Sequence, residues 1–178
     1  MLLRDEEVVL VPLSLEFVDF VTQIRTDWAN YDYFFNFGLA TRDQELEWIG
    51  RAISDPTQLN FVIVSAAEKP EPIGTISLTN LDWRSRNAEY GRLYIDRSWR
   101  RRGLAWRASR LMLRYAFSEL NLRRIYLRVF AENEGAILLY RRLGFEQEGC
   151  LRQHVYKNGR YRDVLVMALL RSDPEYGL

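Results

Sequence analysis

The stretch Tyr94-Ile-Asp-Arg-Ser-Trp-Arg-Arg-Arg-Gly-Leu-Ala105 carries the end of an apolar strand into a basic turn and out into a helix opening near Leu104. The first amides of a helix have no intrahelical acceptor and sit at the positive end of its dipole, so such a junction holds phosphate. Gly103 lets backbone approach an anion closely, and Ala105 keeps the first turn slim. Arg100, Arg101 and Arg102 place positive charge where a diphosphate sits. The same residues also suit a solvated basic turn in which Gly103 only makes a tight connection. The pattern is neither a P-loop, which ends Gly-Lys-Ser/Thr, nor Gly-x-Gly-x-x-Gly.

Upstream, Ala88–Ile95 reads as the strand feeding this turn, and Gly91 within it marks a bulge or a close backbone approach. Phe61–Ala66 and Ile73–Leu78, on either side of Lys69-Pro-Glu-Pro72, predict a hairpin. Val8–Pro12 reads as a strand and Leu15–Trp28 as a helix, with Phe17, Phe20, Val21 and Ile24 at helical spacing. The aromatic run Asn30–Gly38 predicts an irregular loop. Thr41-Arg-Asp-Gln44 is a capping box that starts a helix stopped by Asp55-Pro56. Downstream, the helix after Gly103 runs to about Leu120, Ile125–Val129 is a short strand, and Asn133–Leu143 is a helix stopped by Gly144. Gln153–Tyr156 and Asp163–Leu170 are late strands. The order β, α, α, β, β, β, α, β, α, β, β predicts an α/β fold of the mixed α+β kind: a sheet flanked by helices, without even parallel alternation.

Composition bounds the function. A length of 178 residues predicts one domain, and 48% apolar with 28% charged residues is globular. Lys+Arg 25 against Asp+Glu 24 leaves a net charge of +1, which removes bulk electrostatics as an argument for nucleic acid. Cys150 and His154 are each alone, which leaves no intrachain disulfide and no Cys/His metal site. Acidic residues follow Met1 too early for a signal peptide, and the longest apolar run, Val164–Leu170, is far short of the ~20 residues that span a bilayer. These features predict a cytoplasmic protein without a membrane partner. Trp28, Trp48, Trp83, Trp99 and Trp106 offer apolar surface for a homo-oligomer.

The second informative helix begins at Asn133, a favoured N-cap, and carries Ala136, Tyr140 and Leu143 on the same stripe before Gly144 and Phe145 close it. Cap, amphipathic helix and glycine stop also stand without any function, with Tyr140 as packing. The order of the two units is what matters. Arg100-x-x-Gly103-x-Ala105 precedes Asn133, Ala136-x-x-x-Tyr140 and Gly144-Phe145, and over roughly residues 8–170 the chain resembles the GNAT superfamily of acetyl-coenzyme A (acetyl-CoA)-dependent N-acetyltransferases. The first unit is similar to the family's pyrophosphate motif Gln/Arg-x-x-Gly-x-Gly/Ala, the second to its coenzyme-binding Asn…Tyr helix. Glu148-Gly149 and Lys157-Asn-Gly-Arg-Tyr-Arg-Asp163 resemble the branch containing spermidine and ribosomal-protein N-terminal acetyltransferases.

The resemblance implies that Ala88–Ile95 and Ile125–Val129 splay apart and admit acetyl-CoA, with no metal. The pantetheine arm then pairs with backbone near Leu93, Tyr94 and Ile95. The diphosphate sits on amides from Arg101 through Leu104 to Ala105, Asn133 and Ala136 bind the coenzyme from the second helix, and an N–H near Ile95 polarises the thioester carbonyl. Glu89, on the strand side shared with Gly91 and Leu93, is the candidate base, against the plainer reading of an exposed strand carboxylate. Tyr140 is the candidate donor to the leaving thiolate. The acceptor is a primary amine of a small molecule or a peptide N-terminus. A non-catalytic acyl-CoA sensor on the same fold is the alternative. Asp27, Asp32, Asp43, Glu45 and Glu47, interleaved with Trp28, Tyr31, Tyr33, Phe34, Phe35 and Phe37, predict an acidic, aromatic wall suited to a polyamine or basic peptide. The same residues otherwise cap a helix and fill the core.

Overall fold

The structure is a computed structural model that describes residues 3–35 and 40–171. Its strands are β1 (Leu3–Arg4), β2 (Val8–Pro12), β3 (Leu59–Ser65), β4 (Pro72–Asp82), β5 (Asn87–Ile95), β6 (Arg124–Phe130), β7 (Glu146–Lys157) and β8 (Arg160–Leu170). They form a single sheet in the order β1-β2-β3-β4-β5-β6-β8-β7. Among the described residues only the β5–β6 pair is parallel. The helices are α1 (Val18–Thr26), α2 (Arg42–Ser54), α3 (Leu104–Arg114) and α4 (Glu134–Arg142). This is the mixed sheet with flanking helices that the element order predicts, and it is mostly antiparallel.

Strand alternation sorts side chains onto two cores. On β3, Val62 and Val64 face α1 and α2 with Val21 and Ile49, while Ile63 faces the other side with Met112 and Phe117. The capping box opens α2 as expected: the Gln44 N–H donates to the Thr41 hydroxyl at 3.3 Å, and the Thr41 N–H donates to Gln44 Oε1 at 2.9 Å. The first helix is shorter than its apolar spacing predicts. Leu15–Phe17 is a 3-10 turn, and the helix ends at Thr26 because Asp27 turns extended and accepts the Ala29 N–H at 2.9 Å. Trp28–Tyr33 then forms a second 3-10 turn where an irregular loop was expected, and residues 36–39 of that loop lie outside the described residues. After α3 the chain continues as a π-helical turn, Tyr115–Glu119. The late strands exceed expectation because they meet at Asn158-Gly159, with φ 51° and 73°, a two-residue turn that matches sheet twist.

The sheet opens in its middle. β5 and β6 pair only at Asn87↔Arg124, Ala88↔Ile125 and Glu89↔Tyr126. Beyond Glu89, β5 stays with β4 as far as Gly74↔Ile95, and β6 stays with β8 as far as Phe130↔Val164. The two arms part as the resemblance implies.

A bulge lies where Gly91 predicts one, but the details differ. The register steps from Ser77↔Gly91 to Thr75↔Tyr94, so Arg92 and Leu93 oppose a single residue, Ile76. The left-handed residue is Arg92, with φ 51°. The close approach is across the pair, at Gly74, where a Cβ would lie 2.2 Å from the Tyr94 carbonyl oxygen. The extra residue inverts the strand. Ala88 and Tyr90 face the α3 core before the bulge, whereas Leu93 and Ile95 face it afterwards. Glu89 and Leu93 therefore lie on opposite faces, not on one side as simple alternation predicts. No helix among the described residues is long and apolar enough to cross a membrane.

Candidate active site

The strand-to-helix junction is built by backbone conformation. Gly103 is the N-cap of α3 with φ 77°, and Arg101, two residues earlier, has φ 63°. The Arg107 N–H makes the first helical bond, to the Gly103 carbonyl at 3.1 Å, so the amides of Gly103 to Trp106 have no helical acceptor. Left-handed residues alternating in a turn aim successive N–H groups into one concavity. Nothing lies within 4 Å of a Cβ at Gly103, so within this chain it is φ, rather than crowding, that demands glycine.

Of the three arginines, Arg100 does not line this concavity. Its Nε donates to the Ile95 carbonyl at 2.8 Å, a terminal nitrogen donates to Asn30 Oδ1 at 3.4 Å, and its guanidinium lies 5.4 Å from the Tyr94 ring centroid. It ties the end of β5 to the first loop. Arg102 donates to the Ser98 carbonyl at 3.0 Å and stacks on Trp99, while Arg101 is exposed. Leu104 is buried in the core and Ala105 packs against it. The β6-facing edge of β5 beyond Glu89 has no strand partner among the described residues, which leaves backbone near Leu93 open. The Tyr94 carbonyl lies against Gly74, and the Tyr94 hydroxyl accepts from Asn30 Nδ2 at 3.3 Å.

On the other arm Asn133 is the N-cap of α4, its Oδ1 accepting the Ala136 N–H at 3.2 Å. Gly144, with φ 92°, and the Phe145 N–H donating to the Tyr140 carbonyl at 2.9 Å close the helix as its sequence predicts. Tyr140 is buried, edge-on to Tyr90 with centroids 5.9 Å apart, and burial pushes its pKa up to about 12. Its hydroxyl makes no hydrogen bond among the described residues. A proton-bearing hydroxyl without a protein acceptor is available to a ligand atom. Tyr90, by contrast, shares a 2.7 Å hydrogen bond with Ser109.

Glu89 occupies the last paired position before the arms part. Its Oε2 accepts from Asn80 Nδ2 at 2.8 Å and its Oε1 from Arg128 Nε at 2.8 Å, with the side chain only 12% exposed. It is neither an ordinary exposed carboxylate nor a bare base. The acidic wall is also engaged within the chain. Asp27 caps a turn, Asp32 accepts from Asn158 at 3.0 Å and from Arg162 at 3.4 Å, and Glu47 faces Arg51 at 3.8 Å. Asp43 is exposed in the first turn of α2. Glu45 is buried against Arg25 at 3.0 Å, and its Oε2 has no partner among the described residues. Lys157, also buried, donates to the Phe34 carbonyl and lies 4.0 Å from the Tyr31 ring centroid. Phe35 packs on Phe130 with centroids 4.6 Å apart, so the 3-10 turn and its flank bridge both arms.

Residues 7–146 match the acetyltransferase (GNAT) domain family. The chain belongs to the GNAT family. It is 32% identical over 162 residues to the spermidine N(1)-acetyltransferase of Escherichia coli K12, covering 91% of this chain and 85% of that one. The putative ribosomal N-acetyltransferase YdaF of Bacillus subtilis is 36% identical over 102 residues, 57% of this chain and 55% of YdaF. The crystal structure of the Vibrio cholerae spermidine N-acetyltransferase with CoA and spermine superposes with a TM-score of 0.87 at 30% identity, covering 93% and 96% of the two chains. Another structure of the V. cholerae enzyme is dodecameric. This GNAT chain is thus an acetyl-CoA-dependent N-acetyltransferase of amines, as the sequence resemblance implies.

In the GNAT framework the structure gathers Gly103, Leu104 and Ala105 at one junction and sets Glu89 and Tyr140 against opposite faces of β5. It turns Arg100 toward the Ile95 carbonyl and Asn30. Sequence reasoning missed Asn30, Asn80, Arg92 and Arg128. Asn80 and Arg128 reach Glu89 from neighbouring strands, so only the pairing of β4, β5 and β6 reveals them. The Arg92 contacts depend on the bulge.

Proposed function

We propose that this enzyme transfers the acetyl group directly from acetyl-CoA to a primary amine of a small molecule or a peptide N-terminus. The observation that carries the reading is the parting of β5 and β6 after Glu89↔Tyr126, with Glu89 on one face of β5 and Tyr140 against the other. Acetyl-CoA supplies a thioester whose acyl carbon a neutral amine attacks. Amides from Arg101 to Ala105 hold the diphosphate, the open edge near Leu93, Tyr94 and Ile95 orients the pantetheine arm, and Asn133 and Ala136 contact the coenzyme from the start of α4. An N–H near Ile95 polarises the carbonyl.

Freeing an aliphatic amine of pKa near 10 from its proton at pH 7 costs about 4 kcal/mol. Glu89, already bonded to Asn80 and Arg128, takes that proton through water. Full proton transfer from a tyrosine at about 12 to an ordinary thiolate near 8.5 runs uphill by about 5 kcal/mol. Tyr140 therefore acts as a hydrogen-bond donor to the departing sulfur. Spermidine relatives fit an aliphatic amine acceptor, and the dodecameric relative fits a homo-oligomer, which light scattering checks.

The test is free-thiol release from acetyl-CoA across a panel of amines. Amine-dependent release, with mass spectrometry placing the acetyl group on nitrogen, supports direct N-acetylation. Tight acetyl-CoA binding without release for any amine would favour the sensor reading instead.

A further inference from the structure

The bulge that inverts β5 leaves one cation, Arg92, without a direct ion pair among the described residues, on the face opposite the α3 core. Arg92 is exposed, and its guanidinium reaches across β4: one terminal nitrogen donates to Asn60 Oδ1 at 2.6 Å and to Gln58 Oε1 at 3.1 Å. The guanidinium carbon lies 5.0 Å from the Trp48 ring centroid. Both oxygens belong to neutral amides, and Asn60 Oδ1 is itself fixed by the Ser77 hydroxyl at 2.8 Å. They position the cation and do not neutralise it. The charged groups around it are already paired with others, Glu45 with Arg25 at 3.0 Å and Glu89 with Arg128 at 2.8 Å. No carboxylate ion pair and no bond to the Arg92 Nε or second terminal nitrogen occurs among the described residues. The backbone is held too, in the left-handed region at φ 51°, with its carbonyl accepting the Thr75 hydroxyl at 2.8 Å. A strained residue fixed at side chain and backbone, with a donor fork left open, is organised to receive something.

We propose that Arg92 reads an oxyanion on the acceptor, so that the preferred acceptor is a primary amine that also bears a carboxylate or phosphate. This rests on the acetyl-transfer reading above. A planar guanidinium with two unused donors matches an oxyanion in bidentate fashion, whereas it repels the second ammonium of a polyamine. Most of the acidic wall that would favour a polyamine is engaged: Asp27 caps a turn, Asp32 meets Arg162, Glu45 meets Arg25 and Glu47 faces Arg51, which leaves Asp43 exposed.

The experiment measures kcat/KM for matched acceptors: β-alanine and 4-aminobutyrate, their carboxamides, 2-aminoethyl phosphate, and spermidine. The oxyanion-bearing amines are expected to exceed the carboxamides by about tenfold or more, chiefly through KM. Whether carboxylate or phosphate leads identifies the group that Arg92 takes. Arg92→Gln is expected to bring the acid-to-amide ratio close to one, and Arg92→Lys to restore part of it. A merely structural Arg92 lowers acid and amide alike and leaves the ratio unchanged, which would overturn the proposal. So would a wild-type enzyme that uses carboxamides equally well or prefers spermidine. Absence of thiol release with every amine, neutral ones included, would instead count against acetyl transfer itself.

Discussion

Tyr140 shows how burial selects one chemical role from two. A hydroxyl at about 12 keeps its proton, and with no acceptor among the described residues that proton is free for the departing sulfur of the proposed mechanism. Tyr140→Phe preserves the contacts with Tyr90 and Phe145 and removes only the donor, so turnover should fall about 10²–10³-fold with the acetyl-CoA dissociation constant nearly unchanged. Undiminished turnover assigns Tyr140 to packing. Glu45 is a second buried group with a consequence for stability. Desolvation raises its pKa, and Arg25 only partly offsets this. Because the folded value lies above the unfolded one, protonation favours the folded state. The resulting stabilisation is full below the ordinary carboxylate range and is lost as pH rises through the raised value. The stability of the native protein minus that of Glu45→Gln should therefore shrink as pH rises from the ordinary carboxylate range through the raised value in urea denaturation. A difference that grows with pH would mean that the Arg25 ion pair outweighs desolvation.

At the scale of elements, the strand-to-helix junction depends on backbone conformation and not on arginine charge. Gly103 at φ 77° sets the first amides of α3, while Arg100 is bonded to Ile95 and Asn30. A β-branched residue is strained at that φ and disturbs the amides directly. Gly103→Val should weaken acetyl-CoA binding in calorimetric titration more than Arg100→Ala does. The reverse order would move the diphosphate from the amides to the guanidinium. The bulge in β5 is the other decisive local device. One extra residue returns Leu93 and Ile95 to the α3 core while Glu89, before the bulge, faces the other way, so in the proposed mechanism the candidate base and the coenzyme edge come from a single strand.

At the largest scale, the parted arms of the sheet leave a strand edge in its centre that no described strand pairs. A ligand that pairs with this edge stabilises the folded state by mass action. Acetyl-CoA at 100 times its dissociation constant adds about 2.7 kcal/mol, which for a chain of this size is about 5–10 °C in melting temperature. A thermal melt that does not move at millimolar acetyl-CoA would contradict the placement of the coenzyme.

What the sequence determined by itself is local. The Thr41–Gln44 capping box, the Asn133 cap, the Gly144 stop and the Gly103 junction each depend on φ preferences and hydrogen bonds within about one turn of chain, so residue identity suffices to read them. The Asn158-Gly159 hairpin was equally legible by that rule. Tertiary structure alone decided which way β5 faces after its bulge, where Arg100 points, and which cations meet Glu89 and Asp32. Those outcomes depend on registers between segments tens of residues apart. A shift of one residue in a register exchanges the two faces of a strand, and the competition that sets it runs across the whole sheet.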